Sequence, residues 1–231
     1  MNDAPRFRLA PHNFLGRFIA IEGLDGTGKT GLVRRIVRDL RSQGFDVVRV
    51  RVPTDRMRKS WMFQKVHKLN LHSEVDPLAY EVAYMADRLH LSGTVIKPSL
   101  SQGKIVIADR YLISSIGSLL VRSPELMNVI ETSYKSNGWF SDLVSNLVKP
   151  DISFFLHSDV DVAMRRINKK KGERAFDMDA NSYQHVFDLG KSLALANEMV
   201  FLDSTNVTAK KINATAKEHI SKILHWPNAK S

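Results

Sequence analysis

Eight consecutive residues, Gly23-Leu24-Asp25-Gly26-Thr27-Gly28-Lys29-Thr30, match G-x-x-x-x-G-K-[ST] in full, and their flanks narrow the possible folds further. Before them runs Phe18-Ile19-Ala20-Ile21, a β-branched and aromatic segment that reads as a strand. After them Leu32, Val33, Ile36, Val37 and Leu40 recur at helical spacing through residue 42, with Arg34, Arg35, Arg38 and Asp39 on the other face. Strand, glycine-rich turn and helix form a phosphate cradle: glycines let successive amides face an anion, and the helix start adds its positive dipole end. Lys29 is expected to neutralise the β- and γ-phosphates of a nucleotide, and the Thr30 hydroxyl to ligate magnesium.

The rest of the chain repeats the alternation. Residues 46–52 alternate Val48, Val50 and Val52 with Arg49 and Arg51 and end at Pro53, the pattern of a half-buried strand. A long helical region is expected over 76–100, and a continuous apolar strand over 104–108. More helix covers much of 111–148, followed by a strand over 151–156, a helix over 160–167, a strand over 198–202 and a helix over 209–224. This predicts an α/β fold of P-loop NTPase type, a parallel sheet flanked by helices on both faces, with a short basic lid. Residues 1–16 read as an extended arm and 17–231 as a single domain, with the lid at about 168–179. Asp109 and Arg110 fall at the C-terminal edge of a central strand, where open α/β sheets bind their ligands.

Composition excludes several chemistries. With no cysteine, the chain has no thiol nucleophile, disulfide or zinc-thiolate site. Lys plus Arg number 34 against 24 Asp plus Glu, a net charge of +10, which points to an anionic partner. The eight histidines are scattered and are given no role. No apolar run is long enough to span a membrane, so a soluble cytoplasmic protein without membrane contact is expected, and nucleic acid is not the expected partner.

Several separated segments together resemble the thymidylate kinases, a family of P-loop nucleoside monophosphate kinases. They are residues 18–30 with the acidic Asp25 inside the loop, Pro53 of an Arg-x-Pro loop, Tyr84-Met85-Ala86-Asp87-Arg88, Asp109-Arg110-Tyr111 with Ser114 and Ser115, Pro150-Asp151, and the basic stretch from Arg165 to Arg174. The resemblance implies ATP- and magnesium-dependent phosphoryl transfer to a nucleoside monophosphate, foremost dTMP to dTDP, by an enzyme that is commonly a homodimer. It implies nucleotide contacts from Gly23, Asp25, Gly26, Thr27, Gly28, Lys29, Thr30 and Arg166, and magnesium held by Thr30 and, through water, Asp109. Acceptor contacts are implied for Asp25, Pro53, Tyr84, Arg88, Arg110, Ser114, Ser115 and Ser118, with Tyr84 stacking on the base and Arg110 binding the phosphate. Members of this family take the transition-state cation from the loop or from the lid. Because Gly26 fills the loop position, the lid is expected to supply it, from Arg166, Lys170, Lys171 or, foremost, Arg174.

The chain departs from the family pattern in four places. Val52 stands where a glutamate often precedes Pro53, Gly31 where a second threonine or serine is usual, and Ser118 where many members carry a tyrosine that crowds the sugar 2′ position; the arm is additional. Two alternatives therefore stand beside the first reading: a kinase of the same fold for another nucleotide or small phosphorylated acceptor, and a catalytically poor nucleotide-binding protein.

Overall fold

The computed structural model describes residues 4–67, 74–114, 116, 128, 130, 132, 136, 138–169 and 180–224. Its centre is β1 (Arg17–Gly23), whose side chains alternate between two apolar layers. Ile19 and Ile21 join α1 (Lys29–Arg41), while Phe18 and Ala20 face the opposite layer. Helix α1 forms because Leu32, Val33, Ile36 and Leu40 share one stripe, and all four are buried. Each such side chain contributes about 1.5–3 kcal/mol on burial.

After β2 (Val47–Arg51) come two short helices, α2 (Asp55–Arg58) and α3 (Trp61–His67). Then α4 (Pro77–Leu91) starts at Asp76, whose carboxylate accepts from the Ala79 amide. The helical region expected over 76–100 is helical throughout, but not as one regular α-helix: α4 passes through a π-helical turn at Ser92–Ile96 into α5 (Lys97–Ser101). The cause lies at Pro98, which has no N–H to continue the ladder; just before it the Lys97 amide already reaches five residues back, to the Ser92 carbonyl.

β3 (Ile105–Asp109) follows, then α6 (Trp139–Ser145), β4 (Ile152–His157), α7 (Val160–Lys169), α8 (Ala180–Ala196), β5 (Val200–Asp203) and α9 (Ala209–Leu224). The five strands form one parallel sheet in the order β2-β3-β1-β4-β5. Ala20 sits between Ala108 and Ser153, so β1 is central. The chain builds β2 and β3 on one side of β1 and β4 and β5 on the other, which makes the crevice beyond the C-terminal end of β1 the topological switch point.

The described part of the N-terminal arm, from residue 4 on, is hydrogen-bonded to the rest of the chain. Ala10 bridges Val148 in parallel, its amide donating to the Leu147 carbonyl at 2.8 Å and its carbonyl accepting from Lys149 at 2.7 Å. Among the described residues no helix is long and apolar enough to cross a membrane.

Candidate active site

The turn after β1 requires glycine for steric reasons. Gly26 has φ +79°, and a Cβ there would lie 2.5 Å from the Ala163 carbonyl oxygen of α7. No side chain fits at that position, so the loop cannot carry a cation at Gly26. Gly28 takes φ +95° at the N-cap of α1, and Thr27 donates its hydroxyl to the Leu24 carbonyl at 2.8 Å. Lys29 is buried and folds back, its Nζ donating to the Leu24 carbonyl. Burial foremost, and then Arg110, lower its pKa from 10.5 to about 7, against the opposing influence of Asp25, Asp109 and Glu22.

Beyond Lys29 the metal candidates meet. Thr30 Oγ1 donates to Oδ2 of Asp109 at 3.3 Å, and Asp109 is 2% exposed. Arg49, on β2, donates Nη2 to the same oxygen at 2.9 Å.

Arg110 is adjacent, at the point where the chain leaves β3. It holds the left-handed conformation, φ 71°, which a residue other than glycine adopts only at a cost. Its amide donates to the Ile21 carbonyl at 3.0 Å, its Nη1 to the Gly23 carbonyl at 2.7 Å, and its Nη2 contacts Asp25. Burial disfavours its charge, but Asp25, Glu22 and Asp109 outweigh burial and hold the guanidinium pKa above its usual value. The Asp25 carbonyl accepts from the Tyr183 hydroxyl of α8 at 2.6 Å, and burial and Asp25 raise the pKa of that phenol.

One unforeseen residue organises this end of the sheet. Glu22 is 1% exposed and accepts from the amides of Tyr111, Leu112, Ile113 and Ser114, at 3.0, 2.6, 3.0 and 3.1 Å. The Ser114 hydroxyl also donates to Glu22 and accepts from the Gly23 amide at 3.0 Å. Ser114 is thus buried between β1 and the segment after β3. Its sequence position suggests a substrate contact, whereas here its hydroxyl is directed to protein partners.

The acceptor candidates lie along α4 and the loop after β2. The Val52–Pro53 peptide is cis. Thr54 then donates its amide, at 2.9 Å, and its hydroxyl to the Asp87 carboxylate, which fastens the loop to α4. Tyr84 packs its ring 4.8 Å from that of Tyr80 and 5.6 Å from the Arg88 guanidinium carbon. Arg88 is fully buried, pairs with Glu81 at 2.7 Å and donates to the Tyr111 carbonyl at 3.0 Å. Burial keeps the Glu81 pKa raised, although Arg88 opposes it.

Arg58, which no motif in the sequence marks, donates Nε to the Pro53 carbonyl at 3.1 Å. Burial, then Arg51, and more weakly Arg110, depress its pKa. The strict Val/Arg alternation of β2 contained a signal for Arg49 and Arg51; nothing local marked Glu22 or Tyr183.

Arg166 lies on α7 and donates to the Ser204 hydroxyl at 3.1 Å and carbonyl at 2.8 Å, while Ser204 Oγ donates to the Thr27 carbonyl at 2.9 Å. It reaches the loop through Ser204. Ser115, Ser118, Lys170, Lys171 and Arg174 lie outside the described residues, as does the expected lid beyond Lys169. Behind Glu22, a cavity of about 230 Å³ opens between the arm and the sheet, lined by Phe7, Tyr111, Pro150 and Asn197 among others.

Comparison with known proteins agrees with this geometry. Residues 21–215 match the family model described as thymidylate kinase. The thymidylate kinase of Fervidobacterium nodosum is 29% identical over 192 residues, covering 81% of this chain and 90% of that protein. A probable thymidylate kinase of Thermococcus kodakarensis is 32% identical over 165 residues, 69% of this chain and 75% of the other. The thymidylate kinase of Rickettsia bellii is 26% identical over 211 residues, 90% and 97% of the two chains.

Proposed function

The chain belongs to the thymidylate kinase family and is a nucleoside monophosphate kinase, and from that premise we propose that it transfers the γ-phosphate of ATP to dTMP with magnesium. The observation that carries this is the position of Arg110: one side chain joins the P-loop carbonyl of Gly23 to Asp25, beside the Thr30–Asp109 pair. A donor cradle and an acceptor cation are therefore in contact. In-line transfer needs just this, two phosphates held together and the charge on the moving group neutralised, with little need for a strong base.

Lys29 leaves the Leu24 carbonyl for the β- and γ-phosphates. Thr30 and Asp109 offer a hydroxyl and a carboxylate oxygen 3.3 Å apart, a hard-oxygen pair that fits magnesium. Held there, magnesium would supply neutralisation of the phosphate charge. Arg110, with Arg51 and Arg58, receives the acceptor phosphate; Asp25 orients Arg110 and the sugar; Tyr84 offers its face to the base. Arg174 supplies the lid cation, a role that the absence of room for a side chain at Gly26 supports. Family membership also implies a cytoplasmic homodimer.

A second reading, a different nucleotide acceptor, rests on Val52. It is 0% exposed where the family often carries a glutamate, so this chain offers no carboxylate to the acceptor there. The deciding experiment is ATP consumption with magnesium against dTMP, dUMP, UMP, CMP, AMP and GMP, with Lys29→Ala as the blank. Preference for dTMP supports the proposal, and turnover with another acceptor moves the substrate to the second reading. If no acceptor stimulates consumption, the protein binds nucleotide without transferring phosphate.

A further inference from the structure

Each carboxylate in the crevice has a different occupation. Glu22 accepts from four backbone amides, and Asp25 faces Arg110. Asp109 is the one paired with a partly exposed counter-charge: its Oδ2 accepts from Thr30 and from Arg49, whose side chain is 31% exposed against 2% for the carboxylate. Arg49 is outside the phosphate-loop motif and is brought here by register. It pairs with Ile107 across β2 and β3, two residues before Asp109, so strand alternation puts Arg49 and Asp109 on the same face of the sheet.

We propose that Arg49 is a resident counter-ion that competes with the divalent cation for Asp109 and thereby sets the metal affinity of the site; the inference rests on the kinase reading in which Thr30 and Asp109 hold the metal. A buried carboxylate left without a partner is costly, and Arg49 removes that cost when no metal is present. A cation entering at Oδ2 meets a guanidinium on the same oxygen and is repelled by it. Partial exposure lets Arg49 swing into water as the metal arrives. Metal binding is then an exchange of one counter-charge for another, weaker than binding to a bare carboxylate and reversible with each nucleotide.

The test measures binding without turnover, on the full chain. The affinity of a non-hydrolysable ATP analogue is measured by calorimetry in magnesium and again in EDTA, and the ratio of the two dissociation constants reports how strongly metal and nucleotide are coupled. Arg49→Gln should raise that ratio about fivefold or more over wild type. Arg49→Lys, which keeps the charge but loses the planar fork, should fall between wild type and Arg49→Gln and folds under the same constraints as the parent. A ratio unchanged or lowered in both variants, with a reduced melting temperature, makes Arg49 only a strand-to-strand ion pair and overturns the proposal. Asp109→Asn identifies the other failure: if it leaves the wild-type ratio intact, Asp109 holds no metal and the proposal falls with that assignment, while dTMP-dependent turnover shows separately whether the kinase reading stands.

Discussion

A lysine amine enclosed by protein loses its hydration, and Lys29, at 5% exposure with Arg110 beside it, titrates at about 7 instead of 10.5. Between those two pH values the folded chain holds this group deprotonated while the unfolded chain holds it protonated. The unfolded state binds more protons there, so this residue alone makes stability rise with pH across the window. The slope should vanish in Lys29→Met, as read by melting temperature against pH in the absence of nucleotide. Phosphate oxygens reverse the shift, so binding of an ATP analogue at pH 8 should take up close to one proton, and almost none below about pH 6. Calorimetry in buffers of different ionisation enthalpy measures that uptake; a constant uptake across this range would remove Lys29 from the phosphates. Arg110 obeys a different rule, because it is held charged and already oriented by Asp25 and Gly23. Arg110→Ala should lower kcat by about 10²-fold and raise the acceptor KM, with the ATP KM nearly unchanged. An effect confined to ATP would move Arg110 to the donor side.

Between elements, what fixes the acceptor loop is a clamp from α4. Asp87 accepts both the amide and the hydroxyl of Thr54, and the same helix carries Tyr84 one turn before the clamp's attachment and Arg88 immediately after it. Asp87→Ala should therefore free the loop, raising the acceptor KM about tenfold while the ATP KM stays at wild type, the signature of lost ground-state positioning on one substrate. Steady-state kinetics with each substrate varied in turn decides it. The legibility of such features in the sequence depends on range. The phosphate loop, α1 and the apolar strands are written in contiguous residues, and their reading holds because period and turn chemistry are local. Helices α2 and α3, of 4 and 7 residues, are too short to show a period. Glu22 was invisible for another reason: its amide partners lie about ninety residues away, and a glutamate inside a hydrophobic strand does not announce a capping role. The same holds for Tyr183 and Asp25, 158 residues apart, and for Arg49, whose place on β2 was readable while its partner on β3 was not.

Across the whole molecule, the arm that sequence left without a role joins parts of the chain that are distant from it in order. The Phe7 amide donates to Asn197 Oδ1 at 2.7 Å, and Asn197 Nδ2 donates back to the Pro5 carbonyl at 3.1 Å, which ties the arm to the turn between α8 and β5. Ala10 ties it to the segment that enters β4, and the Asp151 carboxylate accepts the Phe18 amide at 2.7 Å and lies 3.3 Å from His12 Nε2 without a hydrogen bond to it. Phe7, 8% exposed, walls the cavity behind Glu22. Phe7→Ala should cost about 2–4 kcal/mol, since the void it would leave adjoins one already present. Asn197→Ala should cost about 1–2 kcal/mol by stranding a donor and an acceptor on the arm. Because both changes release the same strap, the double variant should lose less than the sum of the singles. Denaturant unfolding measures all three, and additive losses would mean that the two ends of the strap are held independently. Activity at low temperature adds a second reading. A stability loss with kcat intact leaves the arm a fastening, whereas a fall in kcat in the folded Phe7→Ala protein would mean that the cavity wall transmits through Glu22 to the amides that follow Arg110.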